Sequence, residues 1–304
     1  MKPKDIAIQP FLDSRHGLCP GCGSAIAMAH IQSIVSQPLP SGKIKKIRSM
    51  VIPASCWSIG SGFDGVSFIG TNLVHTPFIA GATVGEGISI MSKRRGLNKD
   101  EMTIVWAGDG ASFDIGLGLL SGVAIRNADI LYVINDNQIY GNTGAQESGA
   151  TPKGAKTQTS PEGKTIAQKD ILEIMMAHKV PYFASIALSV PTLDDFYAKV
   201  RRAADEEGFR CLHLLSVCPP GWKCDTASAP DLAELAVQTR AFPLVEVIGG
   251  HLCLTKPKRE KPIEEFLKHQ KRFSAIIDSP EILREFQEQI DNRWNYLLNL
   301  TRPA

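Results

Sequence analysis

Two apolar runs constrain the architecture more than any other feature. MTIVWAGDG (102–110) and ILYVINDN (130–137) each end abruptly in glycine, aspartate or asparagine. Short, continuous apolar runs of this kind read as strands buried on both faces. Between them, DIGLGLLSGVAIRN reads as a helix. The same alternation extends both ways. A helix is expected from about Gly21 to Ser36, a strand in IRSMVIPA, and a small-residue helix in TPFIAGATVGEGISIMSKRRG, with Pro77 near its start and Gly96 at its end. Downstream, KDILEIMMAHK and TLDDFYAKVRRAADEEG read as helices, YFASIALS and CLHLLSVC as strands. Strands alternating with helices predict an α/β fold, a mostly parallel sheet with helices on both faces.

Two segments break the alternation. Residues 141–168 are rich in Gly, Thr, Ser, Pro and Lys, and so long an irregular connection points to function or disorder. From Phe242 the pattern changes, and the basic run KPKREKP leads into a stretch that reads as a helical tail. The expected division is therefore 1–241 as the main domain and 242–304 as a helical C-terminal extension. That tail either packs on its own domain or docks on a partner subunit.

Composition narrows the class. The chain has 304 residues, 43% hydrophobic and 21% charged, which describes an ordinary globular protein. A net charge of +2 argues against nucleic acid or an anionic membrane as main partner. There is no apolar run of about 18 residues, so no membrane span is expected. The opening MKPKDIAIQPFLDSRHG does not read as a secretory signal. Seven cysteines, an odd number, fit a reducing cytoplasm better than a disulfide scaffold.

The strand ends carry chemistry. Ligands of open α/β sheets bind at the carboxyl ends of the strands. Gly108 and Gly110 permit close backbone approach, and a helix N-terminus there favours phosphate. Asp109 repels phosphate unless a divalent cation lies between them. Asn137, 28 residues after Asp109, sits at the mouth of the next predicted strand and offers that cation an amide. Taken singly, Gly-Asp-Gly and Asn-Asp-Asn are common turns; together, at strand ends, they point to a cation-bridged phosphate.

Cys19-Pro-Gly-Cys22 opens the first predicted helix. Four readings compete: a redox pair, structural zinc, half of a 4Fe–4S cluster, or plain core cysteines. There is no second C-x-x-C, because five residues separate Cys218 from Cys224.

The GDG…N spacing resembles the thiamine diphosphate motif. GDGASFDIG, DNQIYGNTGAQESGATPKGA, CPGCG and VCPPGW together resemble the β subunit of the 2-oxoacid:ferredoxin oxidoreductases, most of all the pyruvate:ferredoxin oxidoreductase branch, over roughly residues 15–225. The resemblance implies a thiamine diphosphate-binding fold. It implies Mg²⁺ held by Asp109, Asn137 and the Ile139 carbonyl. Asn142 would be the catalytic residue near the thiazolium, with Thr143 and Gly144 lining its pocket. It also implies one 4Fe–4S cluster on Cys19, Cys22, Cys56 and Cys218, with Cys224 a rival for the fourth place and Cys211 and Cys253 inert. Ala54-Ser55 stands where the resembled family commonly has Thr-Gly before the third cysteine.

The implied reaction is oxidative decarboxylation of pyruvate with coenzyme A to acetyl-CoA and CO2, or its reverse, with electrons passing to ferredoxin. A partner α subunit would supply the activating glutamate, since Glu86 is a poor candidate, and a ferredoxin-like subunit would carry further clusters. Oxalate, 2-oxoglutarate, a branched-chain 2-oxo acid or indolepyruvate are alternative substrates. Phe113 could bear on that choice, although packing is its simpler role. A different class also stays open: a zinc-stabilised scaffold that binds a nucleotide and catalyses nothing.

Overall fold

The computed structural model describes residues 16–63, 66–67 and 69–301. The reading of the N-terminus as no signal falls largely outside the described residues. The strands are β1 (Lys46–Pro53), β2 (Gly62–Phe63), β3 (Val66–Ser67), β4 (Asn72–Thr76), β5 (Glu101–Ala107), β6 (Ile130–Asp136), β7 (Tyr182–Ala187), β8 (Phe209–Leu215), β9 (Leu244–Ile248) and β10 (His251–Thr255). The first helices are α1 (Gly23–Val35), α2 (Trp57–Gly60), α3 (Gly81–Arg94), α4 (Asp109–Phe113), α5 (Leu117–Ile125) and α6 (Ile171–Ala177). They are followed by α7 (Leu193–Asp205), α8 (Pro219–Trp222), α9 (Ala229–Gln238), α10 (Glu264–Leu267), α11 (Ser274–Ile277) and α12 (Pro280–Leu300).

Eight strands form one sheet in the order β10-β9-β7-β8-β6-β5-β1-β4, while β2 and β3 make a small hairpin. From β7 to β4 every pairing is parallel; β9 pairs antiparallel with β7 and β10 with β9. The expected α/β sheet with helices on both faces is the fold that forms.

Strand periodicity explains the two-sided core. Successive side chains point to opposite faces. Ile104, Trp106, Leu131 and Val133 thus pack with Met28, Ile31 and Ile34 of α1 and Phe196 and Val200 of α7. Val105, Ala107, Tyr132 and Ile134 pack with Leu120 and Val123 of α5 and Met175 of α6. The small residues of α3 have a steric reason: a Cβ on Gly85 would lie 2.5 Å from Val105 Cγ2. That helix starts later than Pro77, after a 3₁₀ turn at Phe78–Ala80.

The segment from 242 differs from the sequence expectation in part. Residues 244–255 are not helical but form β9 and β10 on the sheet edge. Hydrogen bonding drives this, because the β7 edge is completed by β9. The helical part follows, and α12 buries Trp294 and Leu297.

Candidate functional site

Parallel strands β8, β6, β5 and β1 are consecutive neighbours. Their carboxyl ends therefore deliver Cys218, Asn137, Asp109 and Cys56 to one edge of the sheet. Asp109 begins α4, just beyond Gly108 in extended backbone, and is 3% exposed. Its Oδ2 accepts the Ser148 hydroxyl at 2.6 Å. Its Oδ1 is buried without a hydrogen-bond partner. Burial, and then the neighbouring Asp136, push this carboxyl well above the usual range, against the Ser148 hydroxyl and the nearby N–H groups of Asn137 and Ile139, neither of which reaches hydrogen-bond geometry with Oδ1. A buried carboxylate oxygen with no donor is costly unless a cation meets it. This oxygen donor set therefore fits Mg²⁺. Asn137 Oδ1 accepts the Ile139 N–H at 3.2 Å, and the Asn137 carbonyl accepts Trp222 Nε1 at 2.8 Å. Asp136 is occupied elsewhere, by His213 Nε2 at 2.8 Å and the Gln138 N–H at 2.9 Å.

The chain then turns sharply. Tyr140 N–H donates to Gln146 O at 3.0 Å and Ala145 N–H to Tyr140 O at 2.9 Å. Asn142, Thr143 and Gly144 form the exposed tip of this turn. Thr143 Oγ1 bonds Gln146 Oε1 at 2.5 Å. Gly141 sits at its base. A Cβ there would lie 3.5 Å from both Asn137 Nδ2 and Cys56 Sγ, and 3.7 Å from Cys218 Sγ. One point of backbone thus touches the expected cation site and two of the expected cluster cysteines.

The remaining two cysteines come to the same place. The C-P-G-C turn closes with Cys22 N–H on Cys19 O at 3.1 Å, and Gly23 N–H donates to Val217 O at 3.1 Å, next to Cys218. Gly21 has φ +72°, and a Cβ there would strike Thr226 O at 1.8 Å, so only glycine fits. Burial raises the Cys22 thiol, while the Ala25 and Ser24 N–H groups face its sulfur. Cys56 is pushed up to about 11, first by burial and then by Cys22 and Cys19; the Asn142 N–H opposes this. Cys218 is pushed up to about 12, by burial and by Cys56, Cys22 and Cys19, with the Gly221 N–H opposing. Thiols raised in this way stay protonated at neutral pH unless a metal centre supplies positive charge. N–H groups aimed at three of the four sulfurs fit thiolate ligands. Among the described residues, no three His, Cys, Asp or Glu side chains converge for a single ion.

Burial raises the Cys224 thiol, and the Ser228 hydroxyl and the charge of Arg272 oppose this. Cys211 is buried in β8, and Cys253 is exposed on β10. Phe113 is buried edge-on to His213, with ring centroids 5.9 Å apart. Glu86 is committed to Arg126 by bonds of 2.8 and 2.6 Å.

Residues 141–168 fold over the strand ends. Besides Ser148, Lys164 is buried and donates to Ser148 O at 2.9 Å. Asp114 accepts Tyr140 OH at 2.5 Å, Gly149 N–H at 2.9 Å and Lys169 Nζ at 2.9 Å. Sequence reading missed Ser148, Lys164 and Asp114, since none belongs to a spaced motif. It also missed Arg272, which reaches the site from the C-terminal segment.

Residues 66–214 match the family model described as the C-terminal TPP-binding domain of thiamine pyrophosphate enzymes. Fold and strand-end chemistry therefore define a thiamine diphosphate-binding domain. All four clustered cysteines lie outside the matched range. The ketoisovalerate oxidoreductase subunit VorB of Pyrococcus furiosus is 36% identical over 297 residues, covering 94% of this chain and 91% of that protein. The pyruvate synthase subunit PorB of Thermotoga maritima is also 36% identical, over 307 residues, covering 94% and 90%. A 2-oxoglutarate:ferredoxin oxidoreductase from Magnetococcus marinus shares the fold, with TM-score 0.57 and 23% identity over 77% of this chain and 80% of that one. This chain belongs to the β-subunit family of the 2-oxoacid:ferredoxin oxidoreductases, that of PorB and VorB.

Proposed function

We propose that this chain is the cofactor-bearing β subunit of a pyruvate:ferredoxin oxidoreductase. The complex joins pyruvate and coenzyme A into acetyl-CoA and CO2, or runs in reverse, and exchanges two electrons with ferredoxin. Thiamine diphosphate, when bound, supplies the carbanion chemistry that breaks the bond to the carboxylate carbon. Asp109 and Asn137, with the Ile139 carbonyl, would hold Mg²⁺ against its diphosphate. Gly108 and Gly110 would let the backbone approach. Asn142, Thr143 and Gly144 would line the reacting end, and Cys19, Cys22, Cys56 and Cys218 would ligate a 4Fe–4S cluster beside it.

The single observation that carries this reading is the position of Gly141, where an added Cβ would lie within 4 Å of Asn137, Cys56 and Cys218 together. A cation site and a cysteine cluster this close suit two-electron oxidation at an organic cofactor with one-electron exits. A zinc-stabilised scaffold gives no reason for the two to coincide. Pyruvate is favoured by NTGAQESGATPKGA. A branched-chain 2-oxo acid is the second reading, because the VorB relative is as similar as the PorB relative. Partner subunits would contribute the activating glutamate and further clusters. The protein would work in the cytoplasm, a compartment that its odd number of cysteines suits.

Iron, sulfide and zinc counts on the anaerobically purified complex, with subunit-resolved assignment, test the cluster. About four irons and four sulfides on this chain are expected; one zinc and no sulfide would overturn the electron path. Coenzyme A-dependent ferredoxin reduction with pyruvate and with 2-oxoisovalerate separates the two substrate readings.

A further inference from the structure

Arg272 lies between α10 and α11 and is 1% exposed. Its guanidinium stacks 4.0 Å from the Trp222 ring centroid and 4.8 Å from that of Phe273. Nε donates to Gln270 Oε1 at 3.0 Å and Nη2 to Gln138 Oε1 at 2.6 Å. Nη1 is buried with no partner. Both acceptors are neutral amides, which orient the group and leave its charge uncompensated.

A buried cation normally has an anion beside it. The acidic groups whose ionised forms would favour its charge are Cys218 first, then Cys224, Asp136 and Asp109. Burial lowers its pKa to about 9, so it remains a cation at neutral pH. Trp222 fixes the geometry. Its backbone N–H donates to Cys218 O at 2.8 Å, and its Nε1 to Asn137 O at 2.8 Å. The aromatic plate under the guanidinium is thus bonded to the residue before the proposed cluster's helix and to the proposed Mg²⁺ strand end. The Arg272 carbonyl accepts Lys156 N–H at 2.8 Å, tying it to the loop over the site.

We infer that Arg272 is the fixed counter-charge of the iron–sulfur site, held on the Trp222 face so that it stabilises the thiolate side at Cys218 and raises the cluster's reduction potential. The inference rests on the cluster reading above. Reduction adds one negative charge to the cluster. A buried cation stacked on the ring of Trp222, whose backbone N–H bonds the Cys218 carbonyl, favours that reduced state. Arg272 is a positioning residue of electrostatic kind and touches neither substrate nor cofactor.

The test uses the assembled complex, prepared without oxygen, as wild type, Arg272→Met and Arg272→Lys. Iron per chain is counted, and the clusters are titrated potentiometrically with EPR detection. Arg272→Met keeps the volume and loses the charge. Its iron content is expected to hold while the reduced-to-oxidised ratio at the wild-type midpoint falls about tenfold, equivalent to about 59 mV for one electron. Arg272→Lys is expected to recover most of that shift. Loss of iron in Arg272→Met with retention in Arg272→Lys also supports the role, since charge rather than shape then decides. An unchanged midpoint in iron-loaded Arg272→Met, or equal iron loss in both variants, makes the residue merely structural and overturns the inference. Absence of iron from the wild-type chain overturns the cluster reading itself, and this inference with it.

Discussion

Asp109 is held by one oxygen and left bare at the other. That asymmetry ranks the residues of the proposed cation site. Asp109→Asn keeps the shape and the Ser148 contact but removes the charge a cation needs. Equilibrium dialysis is expected to show Mg²⁺-dependent thiamine diphosphate retention abolished while the circular dichroism spectrum is unchanged; normal occupancy would sink the metal assignment. Ser148→Ala removes only the orienting hydroxyl, and metal affinity is expected to fall by about 10–100-fold. The fourth cysteine is tested the same way. Cys218→Ser is expected to lose iron and Cys224→Ser to keep it, since Cys218 Sγ lies with Cys56 Sγ beside Gly141 and Cys22 and Cys19 act on its thiol. The reverse result would swap the ligand. Asp109 and Asn137 were legible because a strand end exposes its next residue at a known place. Ser148 and Arg272 were not, because their roles come from contacts 39 residues away in one case and 134 in the other.

At the scale of elements, strand and helix alternation was readable wherever one element carried its own pattern. β5 and β6 are continuous apolar runs, and both form as expected. β4 was not readable: NLVHT alternates little, and its edge position leaves it largely uncovered. β9 and β10 were missed despite a usable signal, Gly249-Gly250 between apolar runs, where both glycines take positive φ in a tight hairpin. The loop at 141–168 is an element of another kind, fixed by side chains rather than by a ladder. Asp114 is its main anchor. Burial works to raise this carboxyl, but Tyr140, the Gly149 N–H and Lys169 outweigh it and hold it below the usual range. A carboxyl depressed in the folded state stabilises above its ordinary pKa and loses that contribution as pH falls through its folded value. Limited proteolysis should therefore leave the loop intact at neutral pH and cut it increasingly as pH drops below the ordinary carboxylate range. Asp114→Ala should be cut even at neutral pH, with weaker cofactor binding. Equal protection in the variant would show that the loop is held elsewhere.

At the scale of the molecule, the site is half built. The described edge of the sheet brings together Asp109 and Asn137, the turn at Asn142 and a group of cysteines, which under the proposed function would act on the diphosphate and thiazolium ends of the cofactor. Thiamine chemistry in the resembled family also requires a carboxylate at the aminopyrimidine, and Glu86 is tied to Arg126 at 2.8 and 2.6 Å. The proposed cofactor should therefore bind to this chain through its diphosphate yet stay unactivated until a partner subunit adds the glutamate. Hydrogen–deuterium exchange at the thiazolium C2 position measures activation separately from turnover. The rate is expected to remain near that of the free cofactor when this chain alone is saturated with thiamine diphosphate and Mg²⁺, and to rise by orders of magnitude when the partner is added. Glu86→Gln should leave both rates unchanged. Fast exchange in the chain alone, abolished by Glu86→Gln, would place the activating acid on this subunit and remove the chemical reason for a two-subunit active site.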